Sequence, residues 1–133
     1  MAGAVRATTA ALEQTLFGPA PAAEVILAQS HDETVVGFAL FFPNYSTFLA
    51  KPGIWLEDLY VKPDHRGHGV GSALFRSVAG LARERGCGRM EWSVLDWNRP
   101  AIDFYQRMGA QAQDEWTTWR LTGTALEALA QRS

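Results

Sequence analysis

Two groups of residues in this 133-residue chain have the types and spacing for chemistry. The first is Arg66-Gly67-His68-Gly69-Val70-Gly71, followed by Ser72. Alternate glycines let a backbone turn tightly and approach a bulky anion with no Cβ in the way. A helix starting directly behind them would aim unpaired N–H groups and the positive end of its dipole at the same spot. The chemistry implied is an anion cradle for a phosphate-bearing ligand. The second group is the adjacent pair Glu57 and Asp58, set inside an otherwise apolar run. Acids in such a run are unusual and make candidate site residues. RGHGVG alone also fits a plain turn before a helix, and it lacks the glycine at Ser72 that a G-x-G-x-x-G dinucleotide motif requires.

The elements around these residues follow from periodicity. Ile54 to Val61 is rich in strand formers. After the loop, Val70, Leu74, Val78 and Leu81 recur at helical spacing, with Arg76, Arg83 and Glu84 opposite, so a helix runs to about Arg85. Upstream, TTAALEQTLF (8–17) reads as a helix capped by Thr8 or Thr9. Strands follow at 23–29 and 34–42, joined by a His31-Asp32-Glu33 turn, and then a loop at 43–53. RMEWSVLD (89–96) alternates as a strand, reached by a strand–helix–strand crossover and so parallel to Ile54–Val61. Asn98 suits an N-cap, Pro100 a first helical turn and Gly109 a C-cap, which gives a compact helix. AQAQDEWTTWRL (110–121) reads as one or two strands. Thr124 and Glu127 have capping-box spacing for a last helix. The class is α/β with a mixed sheet.

Composition narrows the partners. The length implies one domain over 1–133. Lys plus Arg number 12 against 14 Asp plus Glu, a net charge of −2, which argues against a nucleic-acid surface. No run is long and apolar enough for a membrane span, and the start lacks a signal peptide's pattern. The single cysteine, Cys87, cannot form an internal disulfide and fits a reducing cytoplasm. His65 and His68 flank the loop without a Cys/His cluster to complete a metal site, so none is expected.

R-x-x-G-x-G between a strand and a helix, followed by W-N-x-P-A-I-x-F-Y-x-x-x-G from Trp97 to Gly109, resembles the GCN5-related N-acetyltransferase family. LEDLYV, DWNRPAIDFYQRMGA and the pair Trp119-Arg120 resemble its diamine and polyamine (spermidine/spermine) group. The resemblance implies a mixed sheet splayed between two parallel strands, acetyl-CoA as co-substrate and a primary amine as acceptor. It places the CoA pyrophosphate on Arg66, Gly67, His68, Gly69, Val70, Gly71 and Ser72. The pantetheine falls along the backbone of Leu59, Tyr60 and Val61, flanked by Asn98, Arg99, Pro100 and Ala101. Tyr105 falls on the family's catalytic tyrosine, Glu57 and Asp58 on its amine-binding acids, and Trp119 beside the substrate. On spacing alone Tyr105 reads as a helix-face core residue.

The chemistry agrees with these roles. An alkyl ammonium, with a pKa near ~10.4, must lose a proton before it attacks. A carboxylate can attract the cation and take that proton, with Glu57 the candidate base and Asp58 the binder, or the reverse. A tyrosine hydroxyl can return a proton to the departing thiolate.

The chain departs from the family pattern in two places. The family's usual first strand and long helix have little room before Thr8, which leaves the 23–29 strand as a sheet edge that a partner subunit could cover in a homodimer. Thr117 stands where polyamine enzymes carry an acid. Other acceptors (an amino acid, an aminoglycoside, a protein lysine) and a CoA-binding module without turnover are the alternatives.

Overall fold

The computed structural model describes residues 7–131. They fall into two compact units, divided between Ser93 and Val94.

In the first unit Thr8 is the cap of helix α1 (Thr9–Phe17), its hydroxyl accepting from the Ala11 amide at 3.1 Å. Strands β1 (Glu24–Gln29), β2 (Val35–Ser46) and β3 (Lys51–Val61) form an antiparallel meander. The β1–β2 turn is held by Asp32, whose carboxylate accepts from the Ser30 hydroxyl and the Thr34 amide. Those bonds keep its carboxyl at about 2. Helix α2 (Val70–Glu84) follows a short 3₁₀ turn at Pro63–His65. Strand β4 (Met90–Glu91) then pairs parallel to β3, giving the order β1-β2-β3-β4. Leu74, Phe75, Val78 and Ala82 of α2 are buried, as are Val36, Ala39, Phe41, Ile54 and Leu56 of the sheet.

Two expectations for this unit need correction. The residues expected as a loop at 43–53 mostly extend the β2–β3 hairpin, with Pro43 opposite Ile54 and Pro52 opposite Tyr45. Pro43 is tolerated because Ile54 donates outward, to the Arg89 carbonyl at 3.1 Å, which makes Pro43–Ile54 a pair needing no N–H from the proline. The 89–96 strand is confined to Met90–Glu91. Only Ile54 and Trp55 have partners in it, so the parallel pair parts after Trp55.

The second unit holds helices α3 (Arg99–Arg107) and α4 (Gly123–Ala130). Asn98 caps α3 through its side chain, which accepts from the Ala101 amide at 3.3 Å. Gly109 follows the helix at φ +95, the left-handed position that glycine fills at a helix end. No strand forms between 110 and 121, contrary to the reading of their alternation. Nor does Thr124 open the last helix. It lies inside α4, behind the N-cap Thr122, so the capping-box spacing has no function there.

Candidate active site

The pairing of β3 with β2 skips one residue. Leu40 opposes Asp58 and Phe41 opposes Leu56, which leaves Glu57 as the extra residue of a β-bulge. The bulge reverses the alternation of β3. Directly opposed residues share a face, so Ile54 and Leu56 before the bulge, and Leu59 and Val61 after it, lie with Phe41, Ala39 and Gly37 on the side packed by α2. Trp55, Asp58 and Tyr60 lie on the other side, with Phe42, Leu40 and Phe38.

Glu57 joins this second face. The Trp55 indole N–H donates to its Oε1 at 3.1 Å. The bulge thus brings two sequence-adjacent acids to one surface, which a regular strand would set on opposite faces. The Asp58 carboxyl is pushed above its ordinary range by burial first and by the Glu57 charge second. Phe38 and Tyr60 meet at 5.8 Å beside the pair.

At its far end β3 runs into the glycine loop. Gly67 and Gly69 adopt φ +82 and +84, and a Cβ built on either meets nothing within 4 Å. Space is therefore open where a side chain would project. Gly69 is the N-cap of α2, and the first amide there with a carbonyl partner is Ala73, bonded to Gly69 at 3.0 Å. Among the described residues, no backbone carbonyl outside the helix accepts from the amides of Gly67 to Ser72. Arg66 ties the loop to the strand, its Nε donating to the Val61 carbonyl at 2.9 Å while the guanidinium lies 5.7 Å from the Tyr60 ring centre.

Between acids and loop, the outer edge of β3 pairs with no strand among the described residues. The Lys62 amide donates inward to Val36 at 2.8 Å, and the Ile54 amide donates outward. Alternation with the bulge then turns the amides of Leu59 and Val61 and the Leu59 carbonyl outward, where β4 no longer follows. The Val61 carbonyl, on the same edge, is the one Arg66 engages.

In the second unit Asn98, Arg99, Pro100 and Ala101 make the first turn of α3 and Tyr105 lies near its end. Tyr105 is half-buried, and burial pushes its hydroxyl above the ordinary tyrosine value. Its ring packs edge-on to Phe104 at 5.5 Å. Trp119 is 90% exposed. His65 engages the neighbouring Asp64 carboxylate at 3.0 Å. Among the described residues no group of three His, Cys, Asp or Glu could hold a metal ion.

Sequence reasoning found the acids, the loop and the cap of α3, but neither the bulge nor the Trp55–Glu57 bond. The sign of the bulge was the break in alternation at Glu57-Asp58, where apolar residues change from even to odd positions.

An acyl-CoA N-acyltransferase fold accounts for a mixed sheet whose parallel pair parts beside a glycine loop at a helix N-terminus. Residues 6–110 match the acetyltransferase (GNAT) family, and the chain belongs to that family. It is 50% identical over 99 residues to an L-ornithine N5-acetyltransferase of Arabidopsis thaliana, covering 74% of this chain and 43% of that one. It is 38% identical over 136 residues to a thialysine N-epsilon-acetyltransferase of Bos taurus, covering 95% and 79%. An integron cassette protein from the mobile metagenome of V. cholerae superposes with a TM-score of 0.82 at 28% identity, covering 95% and 80%. The chain therefore spans less than half the length of the plant relative.

Proposed function

We propose that the protein transfers the acetyl group of acetyl-CoA directly to a primary amine of a small diamine- or polyamine-like substrate. The observation that carries this reading is the order of features on β3: two carboxylates gathered on one face by a bulge, then a strand edge that β4 no longer follows, then open glycines before a helix. The outward amides of Leu59 and Val61 suit an extended amide-bearing arm such as pantetheine. The amides from Gly67 to Ser72 suit a diphosphate. Glu57 and Asp58 attract the ammonium, and one of them, Glu57 by preference, takes its proton. The amine nitrogen then bonds the acetyl carbon, the carbon–sulfur bond breaks, Tyr105 supplies the proton that leaves CoA as a thiol, and the second proton shed by the new amide nitrogen restores the tyrosine hydroxyl. Because Tyr105 titrates above the ordinary value, it still holds that proton at neutral pH. Cys87 forms no acyl intermediate.

The acceptors in the names of the two relatives favour a second reading, in which the amine is the terminal one of a diamino acid. Release of free CoA with a panel of spermidine, 1,3-diaminopropane, L-ornithine, thialysine, an aminoglycoside and a lysine peptide separates the two. A preference for the diamines supports the first and a preference for the diamino acids the second. Turnover with none of them, combined with thermal stabilisation by acetyl-CoA, would leave a CoA-binding module without catalysis.

The same reading takes 1–133 as one acetyltransferase domain, working as a cytoplasmic homodimer without nucleic-acid or membrane partners. The net charge of −2 supports the absence of a nucleic-acid partner. Among the described residues, no helix is long and apolar enough to cross a membrane. Leu27, 56% exposed on the edge strand β1, suits a covering subunit. Light scattering on the purified protein tests the dimer.

A further inference from the structure

We infer that Trp55 is a positioning residue for the acetyl transfer, fixing the carboxylate of Glu57 through its indole N–H; this rests on the proposed role of Glu57. As the bulge residue, Glu57 has no opposite neighbour on β2 to confine it. It is also exposed and adjacent to a second acid. A long acid in that setting would sample many rotamers and turn away from Asp58. Trp55 supplies what the ladder does not. Its own backbone is held on both sides, opposite Phe42 and opposite Glu91, and its indole nitrogen stands 3.1 Å from Oε1.

The chemistry of the donor matters. An indole N–H donates and never accepts, so it can pair only with an acceptor oxygen such as those of a carboxylate. Unlike lysine, arginine or protonated histidine, it adds no positive charge. The negative charge that draws an ammonium is therefore undiminished. With Oε1 engaged by the indole, Oε2 is the oxygen left for the amine. Spacing two apart on a strand sets the two side chains on one face, and the bulge keeps Glu57 there beside Asp58.

A double-mutant cycle tests the inference. Trp55→Phe, Glu57→Gln and the double variant are assayed with the best acceptor of the panel, with melting temperatures to verify folding. Trp55→Phe should lower kcat/KM for the amine by about tenfold, the order expected for a hydrogen bond to a charged group, and leave the KM for acetyl-CoA unchanged. In the Glu57→Gln background the same change should cost less than about twofold, because the charged partner is already gone. Equal losses in both backgrounds would reduce Trp55 to a packing residue. A Glu57→Gln variant with parental turnover would instead bring down the role given to Glu57, and the positioning role with it. Should Trp55→Phe fail to fold, the indole N–H resonances of the chain's five tryptophans give a second reading. In folded Glu57→Gln one of them should move while the other four stay, and five unmoved resonances would overturn the inference.

Discussion

From Lys51 to Glu84 each element is fixed by a neighbour: β3 is laddered to β2, its end is tied by Arg66, and α2 lies buried against the sheet. From Val94 onward the helix ends carry their own signals. Helix α3 carries its own N-cap in Asn98 and its own left-handed stop in Gly109, while the alternating residues between 110 and 121 form no strand. A helix satisfies its hydrogen bonds within itself, so caps and periodicity suffice to write it. A strand satisfies them only on another segment, so alternation states a willingness to pair and nothing more. If chemistry is divided along the same line, with binding on β3 and its loop and proton return on α3, variants in the two regions should fail in different ways.

The largest effect should come from α3. Tyr105→Phe should lower kcat by about 10²–10⁴ while the Kd for acetyl-CoA, from calorimetry, stays the same. In the parent, burial raises the Tyr105 pKa, so its proton should not be lost until beyond the ordinary value of 10.0, and kcat should show no fall from this group below that pH. Unchanged turnover in Tyr105→Phe would erase the proposed division.

Gly69→Val should fail in the opposite sense. Gly69 sits at φ +84 in open space, so valine costs about 1–2 kcal/mol of backbone strain without a clash, and the protein should fold with a lowered Tm. Its side chain would occupy the approach to the α2 amides. Acetyl-CoA should then bind at least about tenfold more weakly, with kcat at saturation little changed. Parental affinity in a folded Gly69→Val would remove the loop from the binding site.

How far each region was legible follows from the same contrast. Arg66 to Ser72 could be read because glycine, turn and helix start are adjacent in sequence and each is a local choice. Asn98, Pro100 and Gly109 were readable for the same reason. The extension of the hairpin through Pro43 and Pro52 was hidden, since whether a proline breaks a strand depends on which way its missing N–H would point, and that is set by the partner. The shortness of β4 was hidden likewise: Trp92 continues the alternation but packs edge-on against Phe75 at 5.0 Å and has no place in the ladder. At the site, Glu57 and Asp58 were conspicuous as residues. Their shared face was not, because it needs the register of β2.

Asp58 offers a smaller effect with a definite sign. Its folded pKa lies above the ordinary 3.8, through burial and the charge of Glu57. A raised carboxyl contributes stability that is fully present below the unfolded value and is lost as pH climbs through the folded one. At pH 7 the ionised group is therefore a burden. Asp58→Asn should raise Tm there by no more than a few degrees, and the gain should shrink on acidification and vanish below pH 3.8. A lowered Tm at pH 7 would mean that the two acids are not crowded on one face.

The smallest effect should come from the most conspicuous ion pair. Arg85, past the end of α2, grips both oxygens of Glu24 at the start of β1, each at 2.7 Å. Both side chains are about two-fifths exposed, 41% and 43%, so water competes for the charges. Exposed pairs contribute about 0.2–1 kcal/mol, which here corresponds to a Tm loss of at most about 4 °C in Arg85→Ala, with kinetics unaltered. The hydrogen bond to Arg85 lowers the Glu24 pKa below 4.5, so the stability it adds is present above that pH and lost as pH falls through the depressed value. Parent and variant should accordingly converge in acid. A collapse of Tm at neutral pH would show that this side-chain clasp, and not the strand ladders and the buried face of α2, holds the first unit together.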